Sequence, residues 1–156
     1  MKLLMDSDCL IKVVKSSLKE IVCRSFAVTI PPAVKREVVD EAGEQPDAIL
    51  VMKNIQKKLL TVSASSKSAS KGEEAVFEVF QSSRYDAICS DDKRFIKRLR
   101  LYGIPYMTPA VLVAMMLKKA KISEEEALAK LESLAPMISD DEYLTVKAFL
   151  KNWRRS

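Results

Sequence analysis

Short apolar runs alternate with stretches whose apolar residues recur at helical spacing, and that alternation sets the expected architecture. Lys2 to Met5 is an apolar run that stops at Asp6-Ser7-Asp8, after which Cys9, Leu10, Val13, Val14, Leu18, Ile21 and Val22 follow a three-to-four-residue period. The pattern predicts a strand, an acidic turn and one helix. Phe26 to Ile30 is apolar and β-branched and predicts a second strand. Pro31-Pro32 then opens a helix to about Ala42, with Gly43 as its stop. Pro46 to Lys58 predicts a further helix with Ile49, Leu50, Met52 and Ile55 as its buried stripe, and Leu59 to Val62 a short strand. Ser63 to Lys71, SASSKSASK, is low in complexity and predicts a loop of functional size.

Gly72 precedes a helix carrying Ala75, Val76, Val79 and Phe80, and Ala87 to Ser90 predicts a clear strand ending at Asp91-Asp92. A helix from about Lys93 to Tyr102 stops at Gly103, and Ile104 to Met107 predicts another strand. After Pro109 the chain reads as helical: Ala110 to Lys119, a helix capped by Ser123 with a capping box to Glu126, and Asp140 to about Arg154. Strands alternating with helices imply an α/β fold, a three-layer α/β/α sandwich around a mainly parallel sheet with a helical C-terminus. In such sheets ligands collect beyond the carboxyl ends of the strands.

At 156 residues the expected organisation is one domain, 1–156, with C-terminal helices from about 123 to 155. The absence of histidine removes the usual general base, the Ser/His and Cys/His nucleophile pairs and imidazole metal ligands. Only 3 glycines leave no glycine-rich phosphate loop. Lys+Arg 26 against Asp+Glu 21 gives +5, which favours a polyanionic partner. Cys9, Cys23 and Cys89 are an odd number without CxxC spacing and read as reduced core thiols, pointing to the cytoplasm. MKLLMD reaches an aspartate too early for a signal peptide. The longest apolar stretch, Ala110 to Leu117, falls far short of the roughly 20 residues that span a membrane.

Catalysis without histidine rests on carboxylates, and strand ends deliver them to one edge: Asp6 and Asp8 after the first strand, Asp91 and Asp92 after the strand at 87–90. Glu37 lies in the helix after the second strand, Glu73 and Glu74 in the first turn of the helix after the serine segment, and Asp86 just before a strand. Clustered carboxylates repel and raise one another's pKa unless protons or cations neutralise them. Oxygen-only ligation suits Mg²⁺ or Mn²⁺, which serve displacement at phosphorus.

LLMDSDCLIK resembles the start of a PIN domain, and IPPAVKREV is similar to that family's second-helix motif. KGEEAVFEVF and YDAICSDDKRFIKRLRLYGIPYMTPAVLVAMMLKKAKIS resemble the VapC-like branch that carries a glycine-glutamate helix and an Asp-Ala segment ending in an Asp-Asp pair. The resemblance implies a PIN-like fold and an endoribonuclease with one or two Mg²⁺ or Mn²⁺ ions in an acidic pocket. It implies Asp6 and Glu37 as the first two acidic positions, Glu73 or Glu74 as the third, and Asp86 with Asp91 or Asp92 as the remainder. It also implies RNA as substrate, a homodimer, and the toxin role of a toxin–antitoxin pair, with a small antitoxin protein as partner.

Plainer roles stand beside these. Asp8 suits a helix cap, Glu37 with Asp40 and Glu41 suits a solvated face, and one of Glu73 and Glu74 suits a helix's first turn. Lys93, Arg94, Lys97 and Arg98 begin beside the acidic turn and are the candidate RNA contacts, ahead of Lys53, Lys57 and Lys58. Val111, Leu112, Met115 and Met116 read as core or dimer surface, and Trp153 as an anchor for the last helix. A non-catalytic RNA-binding or scaffold protein with this fold is the alternative function. A phosphoacceptor receiver needs one reactive aspartate after the third strand and a lysine after the fifth, which this chain does not supply.

Overall fold

The computed structural model describes residues 1–64 and 72–153. The segment read as a serine-rich loop therefore lies, from residue 65 onward, outside the described residues.

The described strands are β1 (Lys2–Met5), β2 (Ala27–Ile30), β3 (Leu60–Val62), β4 (Ala87–Cys89) and β5 (Tyr106–Met107), all parallel, in the order β3-β2-β1-β4-β5. Leu3, Leu4, Ile30 and Ile88 are completely buried, as expected of strands covered on both faces. The expected α/β sandwich is what the chain forms.

The helices are α1 (Ser7–Lys15), α2 (Lys19–Ser25), α3 (Pro32–Lys35), α4 (Pro46–Gln56), α5 (Gly72–Ser82), α6 (Lys93–Leu101), α7 (Pro109–Lys118), α8 (Glu124–Leu134) and α9 (Asp140–Asn152). From β1 the chain steps to β2 and β3 on one side, then crosses back to β4 and β5 on the other. Because such crossovers are right-handed, reversing the direction of winding puts α1–α4 on one face of the sheet and α5–α6 on the opposite one. α1 packs on α4 and α7, whereas α5 packs on β1 and meets α3 at the edge of the sheet. α7, α8 and α9 pack on one another and close the first face. Within α7, Leu112 and Met116 are core, while Val111 and Met115 are half-buried. Trp153 stacks at a tilt on Phe149 of α9, their ring centroids 5.3 Å apart.

Three elements differ from the periodicity. The helix expected after Asp6 is two helices, broken at Ser17, which takes φ 58. Ser17 N–H donates to the Val14 carbonyl at 3.1 Å and Leu18 N–H to that of Val13 at 2.9 Å, a left-handed cap that apolar spacing does not reveal. The helix opened by Pro32 remains α-helical only to Lys35 and widens into a π-turn over Arg36–Asp40, closed by Glu41 N–H to the Arg36 carbonyl at 2.8 Å. In α4 the buried residues are Ala48, Val51 and Asn54, with Met52 and Ile55 partly covered. Ile49 and Leu50 remain 45% and 39% exposed, because α4 meets α1 and β3 through the neighbouring face.

The capping box forms: Glu126 N–H donates to Ser123 Oγ at 3.1 Å, and Ser123 N–H to the Glu126 carboxylate at 2.7 Å. Ser123→Ala should therefore lower stability by about 1 kcal/mol in chemical denaturation, and Ser123→Asp should restore most of it.

Candidate active site

The winding direction reverses between β1 and β4, so the loops leaving their carboxyl ends separate and open a crevice there. Asp6 follows β1 on one side of it, and Asp91-Asp92 follow β4 on the other. A cavity of about 190 Å³ lies in this crevice, lined by Asp6, Ser7, Asp8, Glu37, Gly72, Glu73 and Asp92. Thus five carboxylates from four separate segments border one space.

Asp6 caps α1, its carboxylate accepting the Cys9 N–H at 2.8 Å, while its own N–H donates to the Cys89 carbonyl of β4 at 3.1 Å. Asp6, not Asp8, is therefore the helix cap, and Asp8 sits exposed in the first turn of α1. Only 7% exposed, Asp6 has its pKa raised from 3.8 to about 6. Burial is the main cause. Hydrogen bonds from Ser90 and Cys9 oppose it, and the charges of Asp91 and Asp8 add to it.

Glu37 reaches the cavity from the π-turn and accepts a hydrogen bond from Ser7 Oγ at 2.8 Å. Adjacent Val38 and Val39 are both buried. The wide turn seats both valines and leaves Glu37 on the α1 side, so it is not part of a wholly solvated face. Asp40, by contrast, pairs with Lys35 at 3.0 Å on the surface.

The first turn of α5 separates its two glutamates. Glu73 lines the cavity and is raised by burial, then by the charge of Asp92 and a hydrogen bond shared with it. Glu74 turns outward and pairs with Arg98 through contacts of 2.5 and 3.0 Å, which hold its carboxyl below its ordinary value.

The turn after β4 also divides its aspartates. Asp92 lines the cavity and caps α6, accepting the Phe95 N–H at 2.8 Å. Asp91 forms a salt bridge with Lys12 of α1, and its side chain is 9% exposed. Burial works against the Lys12 ammonium, but the hydrogen bond and charge of Asp91, with Asp8, hold its pKa above the ordinary value.

Asp86 does not join them. Its carboxylate accepts the Lys2 N–H at 2.6 Å, and its own N–H donates to the Lys2 carbonyl at 2.8 Å. Lys2 opens β1 and Asp6 follows its end, so Asp86 stands at the opposite, amino-terminal edge of the sheet. A strand reverses no direction within its length, so an acid just before β4 cannot reach the edge where β4 ends.

Of the basic candidates, Arg98 is committed to Glu74 and lies over the Phe77 ring at 4.3 Å. Arg94 is exposed and acts electrostatically on Glu73. Lys93 and Lys97 are exposed on α6 and face a separate groove.

The sequence reading passed over Ser7, Ser90 and Lys12. Ser90 is fully buried, hydrogen-bonds the Asp6 carboxylate and accepts the Asp92 N–H at 3.2 Å, so it ties the two sides of the crevice together. A small hydroxyl residue at the end of each acidic strand was the available signal. Lys12 gave none, being one lysine among many.

The donor set is entirely oxygen, two of its acids are pushed towards protonation by burial and neighbouring charge, and this chemistry fits a hard divalent cation. Among the described residues, no group of three or more acid, cysteine or histidine side chains is arranged to hold an ion. Glu37 is bonded to Ser7 and Glu73 to Asp92. Cys9, Cys23 and Cys89 are buried free thiols, and no helix among the described residues is long and apolar enough to cross a membrane.

No curated protein matches this sequence. A sequence model of the PIN domain matches residues 2–152, nearly the whole chain. With the parallel sheet and the acidic crevice at its reversal point, that match shows that the chain belongs to the PIN-domain family, whose members are generally nucleases.

Proposed function

We propose that this protein is a metal-dependent endoribonuclease of the VapC-like branch, hydrolysing RNA phosphodiester bonds in the crevice between β1 and β4. The observation that carries this reading is the convergence of Asp6, Asp8, Glu37, Glu73 and Asp92 on one small cavity. Asp6, Glu73 and Asp92 would hold Mg²⁺ or Mn²⁺, with Glu37 beside them. Bound there, such an ion would neutralise the acids and the scissile phosphate and would lower the pKa of an attacking water. Ser90 keeps the Asp6 carboxylate in place, and Ser7 does the same for Glu37. The first turns of α1 and α6 direct their positive ends towards the crevice, which favours a phosphate there. The ion pair between Lys12 and Asp91 favours Asp92 as the ligand in this turn.

The test is cleavage of a short single-stranded RNA by the purified protein in Mn²⁺, with EDTA as the blank. Glu73→Gln should lower the rate about a hundredfold or more, whereas Asp86→Asn should leave it unchanged. The opposite pattern would return Asp86 to the site and remove Glu73. The alternative, a non-catalytic RNA-binding or scaffold protein, draws on the lack of a preformed three-acid group among the described residues. Mn²⁺ affinity that is indifferent to Asp6, Glu73 and Asp92 would select it. The toxin role, an antitoxin partner, the homodimer and a cytoplasmic location are further parts of the proposal, supported by the motif resemblance and the buried thiols.

A further inference from the structure

Beside the acidic crevice lies a second and larger groove, of about 420 Å³, between α6 and the starts of α7 and α9. We infer that this groove binds single-stranded nucleic acid, with Lys93, Lys97 and Arg100 contacting phosphates and Tyr106 stacking on a base. The inference rests on the nuclease reading for its direction, because it names how the substrate enters that site.

Lys93, Lys97 and Arg100 stand at i, i+4 and i+7 of α6, so they form one row along the groove. All of them are exposed. The acids in the lining are already engaged: Asp91 with Lys12, and Glu142 with the Ala110 N–H at 3.0 Å. Three cations against the single remaining charge of Glu142 leave the lining net positive, which matches a phosphate backbone. Tyr106, half-buried on the edge strand β5, is held by Arg100, whose Nε and Nη2 donate to its hydroxyl at 3.0 and 2.5 Å. The guanidinium lies 5.4 Å from the ring centroid. A fixed aromatic ring beside a row of cations is the arrangement that binds unpaired bases, and stacking on it requires that the base be free of a duplex.

The groove also connects with the chemistry. Asp91 lines it and the next residue, Asp92, lines the acidic cavity. A strand laid along α6 therefore passes directly to the carboxylates. Arg98, on another side of the same helix, faces α5 and is excluded from this path.

The test is fluorescence anisotropy of a labelled hexauridylate with the full chain in EDTA, so that binding is read without hydrolysis. Lys97→Ala should weaken binding and reduce the slope of log K against log salt by about 0.7, the share of one contact to a single strand. Tyr106→Leu should weaken binding roughly tenfold with the slope unchanged, and Tyr106→Phe, which keeps the stacking face and loses only the hydroxyl tie to Arg100, should weaken it less. Lys119→Ala, at the far end of α7, is the control. Equal losses for Lys97→Ala and Lys119→Ala would overturn the inference, as would no loss in either groove variant. Displacement of the RNA by oligoglutamate through the same side chains would replace it with an acidic-peptide site. Binding without Mn²⁺-dependent cleavage would keep the groove and sink the nuclease reading. Cleavage with unaltered KM in Lys97→Ala and Tyr106→Leu would do the reverse.

Discussion

Asp6→Asn should abolish Mn²⁺-dependent RNA cleavage and at the same time make the metal-free protein more stable at neutral pH. The two effects share a cause. Asp6 is buried, and its pKa is raised from 3.8 to about 6 chiefly by that burial. The folded state therefore prefers the protonated carboxyl, and ionising it costs stability. For an acid with a raised folded pKa, stability is highest below about 3.8, falls as pH rises through about 6, and then levels off. A shift of this size corresponds to about 3 kcal/mol at most. Asparagine removes the charge yet still accepts the Cys9 N–H as an N-cap. A gain of about 2 kcal/mol at pH 7.5 in EDTA, or roughly 4–8 °C in Tm, is expected, fading to nothing near pH 4. Loss of cleavage with an unchanged or lower Tm would show that the carboxylate is not held under strain. Unimpaired cleavage would remove Asp6 from the site.

Lys12→Met should destabilise the protein by about 2 kcal/mol, although Lys12 touches neither the cavity nor the groove. Asp91 is 9% exposed and forms its ion pair with Lys12. Removing one partner of a buried pair costs about 3–5 kcal/mol because the other charge is left uncompensated. Lys12 is 22% exposed, so solvent screening reduces that figure. Methionine retains the apolar stem and isolates the charge term. The double variant Lys12→Met/Asp91→Asn should recover most of the loss, since it removes the stranded charge as well. Chemical denaturation of the single and double variants gives the coupling directly. Additive losses would mean that the pair contributes nothing and that Asp91 is free to serve as a ligand.

These expectations draw on different depths of information. Alternating strand and helix patterns were enough to place Asp6 and Asp92 at strand ends, because a parallel sheet buried on both faces must be written as short apolar runs. Glu37 was identifiable as a candidate from its motif, but its direction was not. The π-turn depends on both Val38 and Val39 being seated in the core. Ser17 likewise interrupts a faultless helical period through a backbone conformation that its side chain does not announce.

Local pattern dictates which residues are apolar and where a strand must stop, since backbone geometry repeats every few residues and leaves its mark within that distance. It therefore sufficed for the α/β class, the capping box at Ser123 and the acidic turns. Partner choice lies beyond its reach. Glu73 and Glu74 are chemically identical neighbours, as are Asp91 and Asp92, and only the placement of Arg98 and Lys12 by remote segments turns one of each pair away from the cavity. Asp86 was separated from the others for the same reason: which edge of a sheet an acid occupies follows from strand direction and order, and those are settled when the whole chain packs.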